Sequence, residues 1–268
     1  MSVRFFLFAV LVGAGFSVCA EEGERRPPFI TTPDDVVDRM LDLAGTGPAD
    51  MVLDLGSGDG RIVIRAAEKF GARGLGIELD EKLVEVSREN ARRSKVADRV
   101  SFVQGDVLVS DISKATVVTV YLLPSLIDRL QPRFIDELKP GTRIVSHAFA
   151  MAGWRPERSE TMRIAGRHFG QGDESTLYLW VVPAEARGEW RGDGWQLRIY
   201  QNYQEIEVEA KLAGKAITLT EATLRGSELT WKAEGVRFSG RVEGTKIVGE
   251  LVDSTASRPV TFIRTRSR

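Results

Sequence analysis

The sequence predicts an α/β domain with a parallel β-sheet, followed by a small antiparallel β-domain. From residue 30 to about residue 150, short apolar runs alternate with stretches in which apolar residues recur at helical spacing. Strands that alternate with helices in this way form parallel sheets covered on both faces. From about residue 185 apolar and polar residues alternate, with turn residues about every ten positions, which is typical of an antiparallel meander or barrel. We therefore expect two domains, residues 30–183 and residues 187–268.

The elements of the first domain can be placed in order from the apolar runs and the turn residues. Thr32 is expected to be the N-cap of the first helix, with Pro33 at the first helical position. Strands are predicted at residues 51–55, 74–78, 100–103, 116–122 and 143–146. Helices are predicted at residues 61–70, from an N-cap at Asp80 to about residue 94, and at residues 125–138. About eight short strands, separated by glycine-containing turns, are expected in the second domain.

The N-terminal twenty residues predict a cleavable signal peptide. Arg4 precedes an uncharged run from residue 5 to residue 20 that ends in Val18-Cys19-Ala20. This run is shorter than the roughly 20 residues that span a bilayer as a helix. We therefore expect an exported, periplasmic or membrane-associated protein. The alternative is an uncleaved anchor that leaves the chain facing the cytoplasm.

The composition excludes several classes of function. The 268 residues carry 37 Lys+Arg against 38 Asp+Glu, a formal charge of −1, which argues against nucleic acid as a partner. One Cys and two His are too few for a disulfide scaffold or a Cys/His zinc cluster, so we expect no metal site.

A glycine loop follows the first strand and opens the second helix. Its sequence is Asp54-Leu55-Gly56-Ser57-Gly58-Asp59-Gly60-Arg61, and glycines let a backbone turn sharply and approach a ligand closely. The spacing differs from the G-x-G-x-x-G of dinucleotide binders, and a pyrophosphate would avoid the carboxylates of Asp54 and Asp59. The amino and sulfonium groups of S-adenosylmethionine are cationic, so the loop favours that ligand over the dinucleotide of an oxidoreductase.

Two further acids are expected beside this loop. Glu78 ends the second strand, where its carboxylate would accept hydrogen bonds from both ribose hydroxyls. Asp106 follows the third strand in Gln104-Gly105-Asp106, where it would accept one from the adenine amino group. The carboxyl ends of adjacent parallel strands meet at one edge of the sheet, which is the usual ligand crevice of an open α/β fold.

These motifs, in this order and at these intervals, resemble those of class I S-adenosylmethionine-dependent methyltransferases. More narrowly, residues 54–64, with Thr32-Pro33 upstream, resemble the ATP synthase c-subunit lysine methyltransferase family and its bacterial relatives. The resemblance covers residues 30 to about 182. It implies a Rossmann-like, seven-stranded methyltransferase sheet that ends in an antiparallel pair at residues 161–164 and 176–182. It also implies S-adenosyl-L-methionine as the cofactor, held by Thr32, Asp54, Gly56, Ser57, Gly58, Gly60, Glu78 and Asp106.

The acceptor side of the site is expected after the fourth and fifth strands. The fourth strand leads into Tyr121-Leu122-Leu123-Pro124, where many amino-methyltransferases carry Asp/Asn-Pro-Pro-aromatic, and only Tyr121 and Pro124 match. We therefore predict that a backbone carbonyl of this loop contacts the target nitrogen, with Tyr121 as wall or hydrogen-bonding partner. His147, at the end of the fifth strand, is either a base or a hydrogen-bonded structural residue. Tyr121 and His147 are the candidate catalytic residues.

The predicted function is methyl transfer to an amine nitrogen, such as that of a protein lysine. Phe149 and Trp154 either line an acceptor channel or pack beneath the sheet. The alternatives are methylation of a small molecule or a lipid-linked amine, and a non-catalytic exported binding module on a methyltransferase fold. The expected partners are accordingly a protein or small-molecule acceptor and a membrane or envelope surface.

Overall fold

The computed structural model describes residues 30–168 and 172–266, so the predicted signal peptide lies outside the described residues. The first domain contains four helices and seven strands within these ranges. In chain order they are α1 (Asp34–Leu43), β1 (Met51–Leu55), α2 (Arg61–Phe70), β2 (Arg73–Glu78), α3 (Glu81–Arg93), β3 (Val100–Gln104), β4 (Val117–Val120), α4 (Pro124–Glu137), β5 (Arg143–His147), β6 (Arg158–His168) and β7 (Gly172–Val181).

The seven strands form one sheet with the order β3-β2-β1-β4-β5-β7-β6. Strands β1 to β5 are parallel, and β7 runs antiparallel to both β5 and β6. This arrangement confirms the Rossmann-like methyltransferase sheet and its final antiparallel pair.

Helices cover both faces of the sheet because neighbouring residues in its central strands point to opposite sides. On one face, Val52 of β1 belongs to a buried cluster that includes residues of α1 and α2, such as Met40 and Ile62. On the other face, Leu53 belongs to a cluster that includes Phe134 of α4. The central strands are therefore buried on both sides, which leaves their ends as the accessible part of the sheet.

The expected helix cap at Thr32 is wrong. The helix begins at Asp34 after an extended Pro33, which occupies the N-cap position without a side-chain hydrogen bond. Thr32 lies one residue farther from the helix, and its side chain is buried and faces His147. The fourth strand is also shorter than predicted, because the chain leaves the sheet after Val120 and Leu122 packs against the glycine loop.

The second domain is a curled antiparallel sheet of nine strands rather than about eight. They are β8 (Gly188–Gly192), β9 (Trp195–Asn202), β10 (Glu205–Leu212), β11 (Lys215–Ile217), β12 (Thr220–Arg225), β13 (Glu228–Ala233), β14 (Val236–Glu243), β15 (Lys246–Asp253) and β16 (Ser257–Arg266). The order is β11-β10-β9-β8-β16-β15-β14-β13-β12. The two edge strands, β11 and β12, are consecutive in the chain, so the sheet curls until β10 and β12 are in contact.

The interior of this curled sheet is aromatic. Trp195, Trp231, Phe238 and Phe262 are all buried, and each ring lies 5.1–5.5 Å from the next, centroid to centroid. These residues alternate with polar ones along their strands, so the aromatic side chains form the core of the domain. Among the residues that the structure describes, no helix is long and apolar enough to cross a bilayer.

The tight packing at Gly60 gives a test of the first domain. Gly60 has a φ of 81°, and a Cβ there would lie 2.7 Å from the Phe102 ring and 2.8 Å from Cβ of Ser87. Gly45, with a φ of 61°, has no atom within 4 Å of the same position. Left-handed backbone costs an alanine about 1–2 kcal/mol at either site, and overpacking adds about 1–3 kcal/mol at Gly60 only.

We therefore expect Gly60→Ala to lower the free energy of unfolding clearly more than Gly45→Ala does. Urea denaturation of the two variants and the wild type measures the difference. Equal losses would contradict the packing described for Gly60.

Candidate functional site

The carboxyl ends of the first five strands place the predicted site residues at one edge of the sheet. Glu78 at the end of β2 pairs with Gln104 of β3, while Val120 of β4 pairs with both Leu55 and Ser146. Parallel strands in this register end at the same level. The structure thereby brings together Asp54, Glu78, Asp106, Tyr121 and His147.

The glycine loop, residues 56–60, lies directly against the end of β2. The backbone N–H groups of Gly56 and Ser57 both donate to the Ile77 carbonyl, at 2.9 and 3.0 Å. Gly56 has a φ of 80°, and a Cβ there would lie 2.8 Å from Cδ2 of Leu122. The Ser57 side chain is buried against Gly76 in β2, so the loop contributes mainly backbone to the crevice.

Asp54 is a buried carboxyl group at the base of the loop. Its Oδ1 accepts a hydrogen bond of 2.7 Å from the Thr119 hydroxyl of β4. Burial raises the pKa of Asp54 to about 7, and the charges of Glu78 and Asp59 add to the increase, although the Thr119 hydrogen bond opposes it. The site therefore holds an acid that changes its charge near neutral pH.

Thr119 is a site residue that the sequence analysis missed. It occupies the fully buried strand Val117–Val120, in which the other three residues are valines. A single hydroxyl among valines, in a strand adjacent to β1, was the signal that could have identified it, because a buried hydroxyl needs a partner.

Glu78 is fixed between the glycine loop and the start of α3. Its Oε2 accepts a hydrogen bond of 2.9 Å from the Gly58 N–H, and its Oε1 accepts one of 3.0 Å from the Asp80 N–H. A carboxylate offers about four lone-pair positions, so each oxygen can still accept a ligand hydroxyl. This geometry leaves room for a pair of ribose hydroxyls, and their binding by Glu78 stays a prediction.

Asp59 is neutralised by Arg61, unlike Asp54 and Glu78. The Arg61 guanidinium donates to both carboxylate oxygens, with the shortest distance at 2.7 Å, and also donates to the Thr32 carbonyl at 2.8 Å. Thr32 is thus tied to the loop through its backbone. The negative charge of the crevice comes from Glu78 and Asp106, and from Asp54 when it is ionised.

Asp106 lies on an exposed turn after β3. Its Oδ1 accepts a hydrogen bond of 2.8 Å from the Leu108 N–H, which fixes the side chain at the sheet edge. Leu79, directly after Glu78, has 52% of its surface exposed. Two acids with an exposed apolar side chain near them suit a nucleoside, whose ring is apolar on its faces and polar at its rim. The crevice therefore fits S-adenosylmethionine in both charge and polarity.

Tyr121 and His147 are in contact on the acceptor side. Their ring centroids are 4.1 Å apart, and burial raises the pKa of the Tyr121 phenol. His147 is fully buried, with Nε2 at 2.9 Å from the Ser175 hydroxyl and Nδ1 at 3.5 Å from the Thr32 hydroxyl. These contacts suit the structural alternative, in which His147 supports the Tyr121 ring. A role for His147 as a base stays a prediction.

Comparison with known proteins identifies the family. The sequence model of the ANTKMT methyltransferase domain matches residues 54–158. A protein-lysine N-methyltransferase of Saccharolobus islandicus is 40% identical over 156 residues, which are 58% of this chain and 93% of that protein. The adenine nucleotide translocase lysine N-methyltransferase of Mus musculus is 35% identical over 130 residues. That match covers 48% of this chain and 56% of the mouse protein, so only about half of the mouse enzyme is matched.

A solved structure is similar as well. A crystal structure from Salinibacter ruber, described as an RNA methyltransferase in complex with S-adenosyl-L-homocysteine, is 51% identical in sequence, with a TM-score of 0.51. The match covers 57% of this chain and 93% of that chain. The Saccharolobus protein is 40% identical and is matched over 93% of its length. The chain therefore belongs to the family of S-adenosylmethionine-dependent protein-lysine N-methyltransferases, as the resemblance of its motifs implied.

Proposed function

We propose that this chain transfers a methyl group from S-adenosylmethionine to the ε-amino nitrogen of a lysine in a protein acceptor. The observation that carries the proposal is the acidic crevice at the ends of β1 and β2. The chain that contains it aligns with 93% of the protein-lysine N-methyltransferase of Saccharolobus islandicus. A lysine acceptor is also named for the mouse relative.

We assign the cofactor to the crevice residues by their chemistry. Glu78 would accept hydrogen bonds from the ribose hydroxyls, Asp106 would accept one from the adenine amino group, and Leu79 would contact the base. Asp54 and the glycine loop hold the cationic end. When bound there, S-adenosylmethionine supplies a methyl group made electrophilic by its sulfonium.

The acceptor lysine would meet residues 121–124, which lead from β4 into α4. A lysine must lose its proton before it can accept a methyl group, which costs about 4–5 kcal/mol at pH 7 for a pKa near 10.4. An apolar surface favours the neutral amine. Leu123 is half-exposed, Leu122 is partly buried, and Tyr121 presents a phenol that stays neutral at physiological pH. These residues would desolvate the amine and align it for in-line attack.

The Salinibacter relative is described as an RNA methyltransferase, which makes RNA the acceptor that a test must distinguish. The formal charge of −1 favours a protein, because binding to nucleic acid relies on excess positive charge. S-adenosylmethionine is made in the cytoplasm, whereas a cleaved signal peptide would place the enzyme outside it. The signal peptide stays a prediction.

The acceptor can be identified with labelled S-adenosylmethionine. We expect the purified enzyme to label proteins in an extract of source cells that lack this chain. Prior acetylation of the lysine amines in the extract should abolish the labelling, because an amide nitrogen does not accept a methyl group. Mass spectrometry would then find methylated lysines. Label that persists after the amines are blocked, or that appears in RNA, would contradict a lysine acceptor.

Cofactor affinity should depend on pH through Asp54. Because its pKa is about 7, Asp54 is mostly neutral below pH 7 and mostly ionised above it. A cationic ligand binds the ionised form better, so affinity should rise between pH 6 and pH 8, and binding should release protons in that range.

Asp54→Asn should remove most of this dependence, while Asp136→Asn, at an exposed position on α4, should leave it intact. Calorimetric titration in buffers of different ionisation enthalpy measures both the affinity and the protons released. An Asp54→Asn enzyme with the wild-type pH profile would show that Asp54 does not contact the charge of the cofactor.

A further inference from the structure

The chain between β5 and β6 has no helix to cover this part of the sheet. Residues 148–157, which we call the β5–β6 segment, contain neither helix nor strand. The segment starts at the acceptor side of the site, directly after His147. Ala148 has a φ of 72°, and the Ser146 hydroxyl donates to the Phe149 carbonyl at 2.6 Å. One end of the segment is therefore part of the crevice wall.

The other end of the segment is held by the second domain. The Trp154 ring stacks on Tyr203, with centroids 4.9 Å apart and planes at 6°. Its Nε1 donates to Oε1 of Gln204 at 2.8 Å, while Nε2 of Gln204 donates to the Arg155 carbonyl at 2.7 Å. Backbone groups outside helices and strands need such partners. The turn between β9 and β10 supplies them here.

Gln131 of α4 connects this contact to the first domain. Its Nε2 donates to the Ala152 carbonyl at 2.9 Å and to the Tyr203 hydroxyl at 2.7 Å. Trp154 is buried in the cluster beneath the sheet, and Phe149 and Tyr203 pack against that cluster from outside. The second domain thereby completes the core beside α4, where the β5–β6 segment takes the place of a further helix.

The turn that makes these contacts has an unfavourable sequence for its geometry. Asn202 pairs with Glu205, so Tyr203 and Gln204 form a two-residue turn, and Tyr203 has a φ of 53°. Such turns favour Asn-Gly or Asp-Gly, because left-handed backbone is strained for a bulky residue. In the described part of the second domain, five other strand-to-strand turns contain a glycine. Tyr203 occupies this position at a cost in local stability, which points to a use for its side chain.

From these contacts we infer that Tyr203 is a positioning residue for methyl transfer. Through Trp154 it fixes the β5–β6 segment, and with it the acceptor side of the crevice. The side chain of Tyr203 contacts Trp154 and Gln131 on the acceptor side, so we expect it to act on acceptor binding. The inference deepens the proposed function and rests on it for the nature of the acceptor.

The variant Tyr203→Asn tests this role without harming the turn, because Asn suits a left-handed position. The domains stay joined at a second contact, where Arg225 donates to Glu157 at 2.8 Å and the Ala184 N–H donates to the Gly226 carbonyl at 2.8 Å. Tyr203→Phe keeps the ring on Trp154 and should rescue the activity. Tyr200→Ala, at an exposed position on the same hairpin, is the matched control.

We expect Tyr203→Asn to speed hydrogen exchange of the amides of residues 149–154 by about tenfold. The extract concentration that gives half-maximal lysine labelling should rise about fivefold, with the affinity for S-adenosylmethionine unchanged. Tyr203→Phe and Tyr200→Ala should behave like the wild type in all three measurements.

If the segment of Tyr203→Asn exchanges its amide hydrogens at the wild-type rate, the inference is overturned. It is also overturned if exchange is faster but the extract concentration for half-maximal labelling is unchanged. Weaker cofactor binding would also overturn it, because the effect would then reach the whole domain. If the wild-type enzyme labels no lysine, the proposed function fails, while the exchange measurement still decides whether Tyr203 fixes the segment.

Discussion

Two acidic side chains that face the same crevice are the constraint on which the site depends. Asp54 is buried and accepts a hydrogen bond from Thr119, and Glu78 accepts hydrogen bonds from the N–H groups of Gly58 and Asp80. Burial raises the pKa of Asp54, and the charges of Glu78 and Asp59 add to the increase, so a negative charge on Asp54 is unfavourable in the free protein. A cationic ligand relieves that repulsion. The same hydrogen bonds fix the glycine loop and the start of α3, so the charge and the shape of the crevice have one origin.

The sequence predicted the positions of the acidic residues at one edge of the sheet because their determinants are local. Asp54, the glycine loop and Glu78 lie at the ends of short apolar strands, and parallel strands bring such ends together. The parallel sheet followed from the alternation of strands and helices, and its final antiparallel pair from the resemblance to the methyltransferases. Thr119 was missed because a hydroxyl in a buried strand becomes informative only when its neighbour across the sheet is known.

Predictions failed where contacts between distant parts of the chain decide the conformation. Thr32 has the residue type of a helix cap, but its side chain faces His147, which is 115 residues away. The sequence predicted about eight strands in the second domain where the described residues form nine, because strands of three to five residues carry too little periodicity to be counted. The contact between Trp154 and Tyr203 joins two domains, and no local pattern indicates it. A tyrosine in a tight turn is the one feature of the sequence that hinted at it.

The role of Glu78 as the partner of the ribose is the central claim, and calorimetric titration with S-adenosyl-L-homocysteine tests it most directly. This ligand keeps the ribose and lacks the sulfonium, so the measurement isolates the contact of Glu78 from the charge effect of Asp54. We expect Glu78→Ala to weaken binding by about tenfold or more, since hydrogen bonds to a charged group contribute about 1.5–3 kcal/mol. Glu81→Ala, at an exposed position in the first turn of α3, should bind like the wild type. Equal affinity of Glu78→Ala and the wild type would contradict the claim.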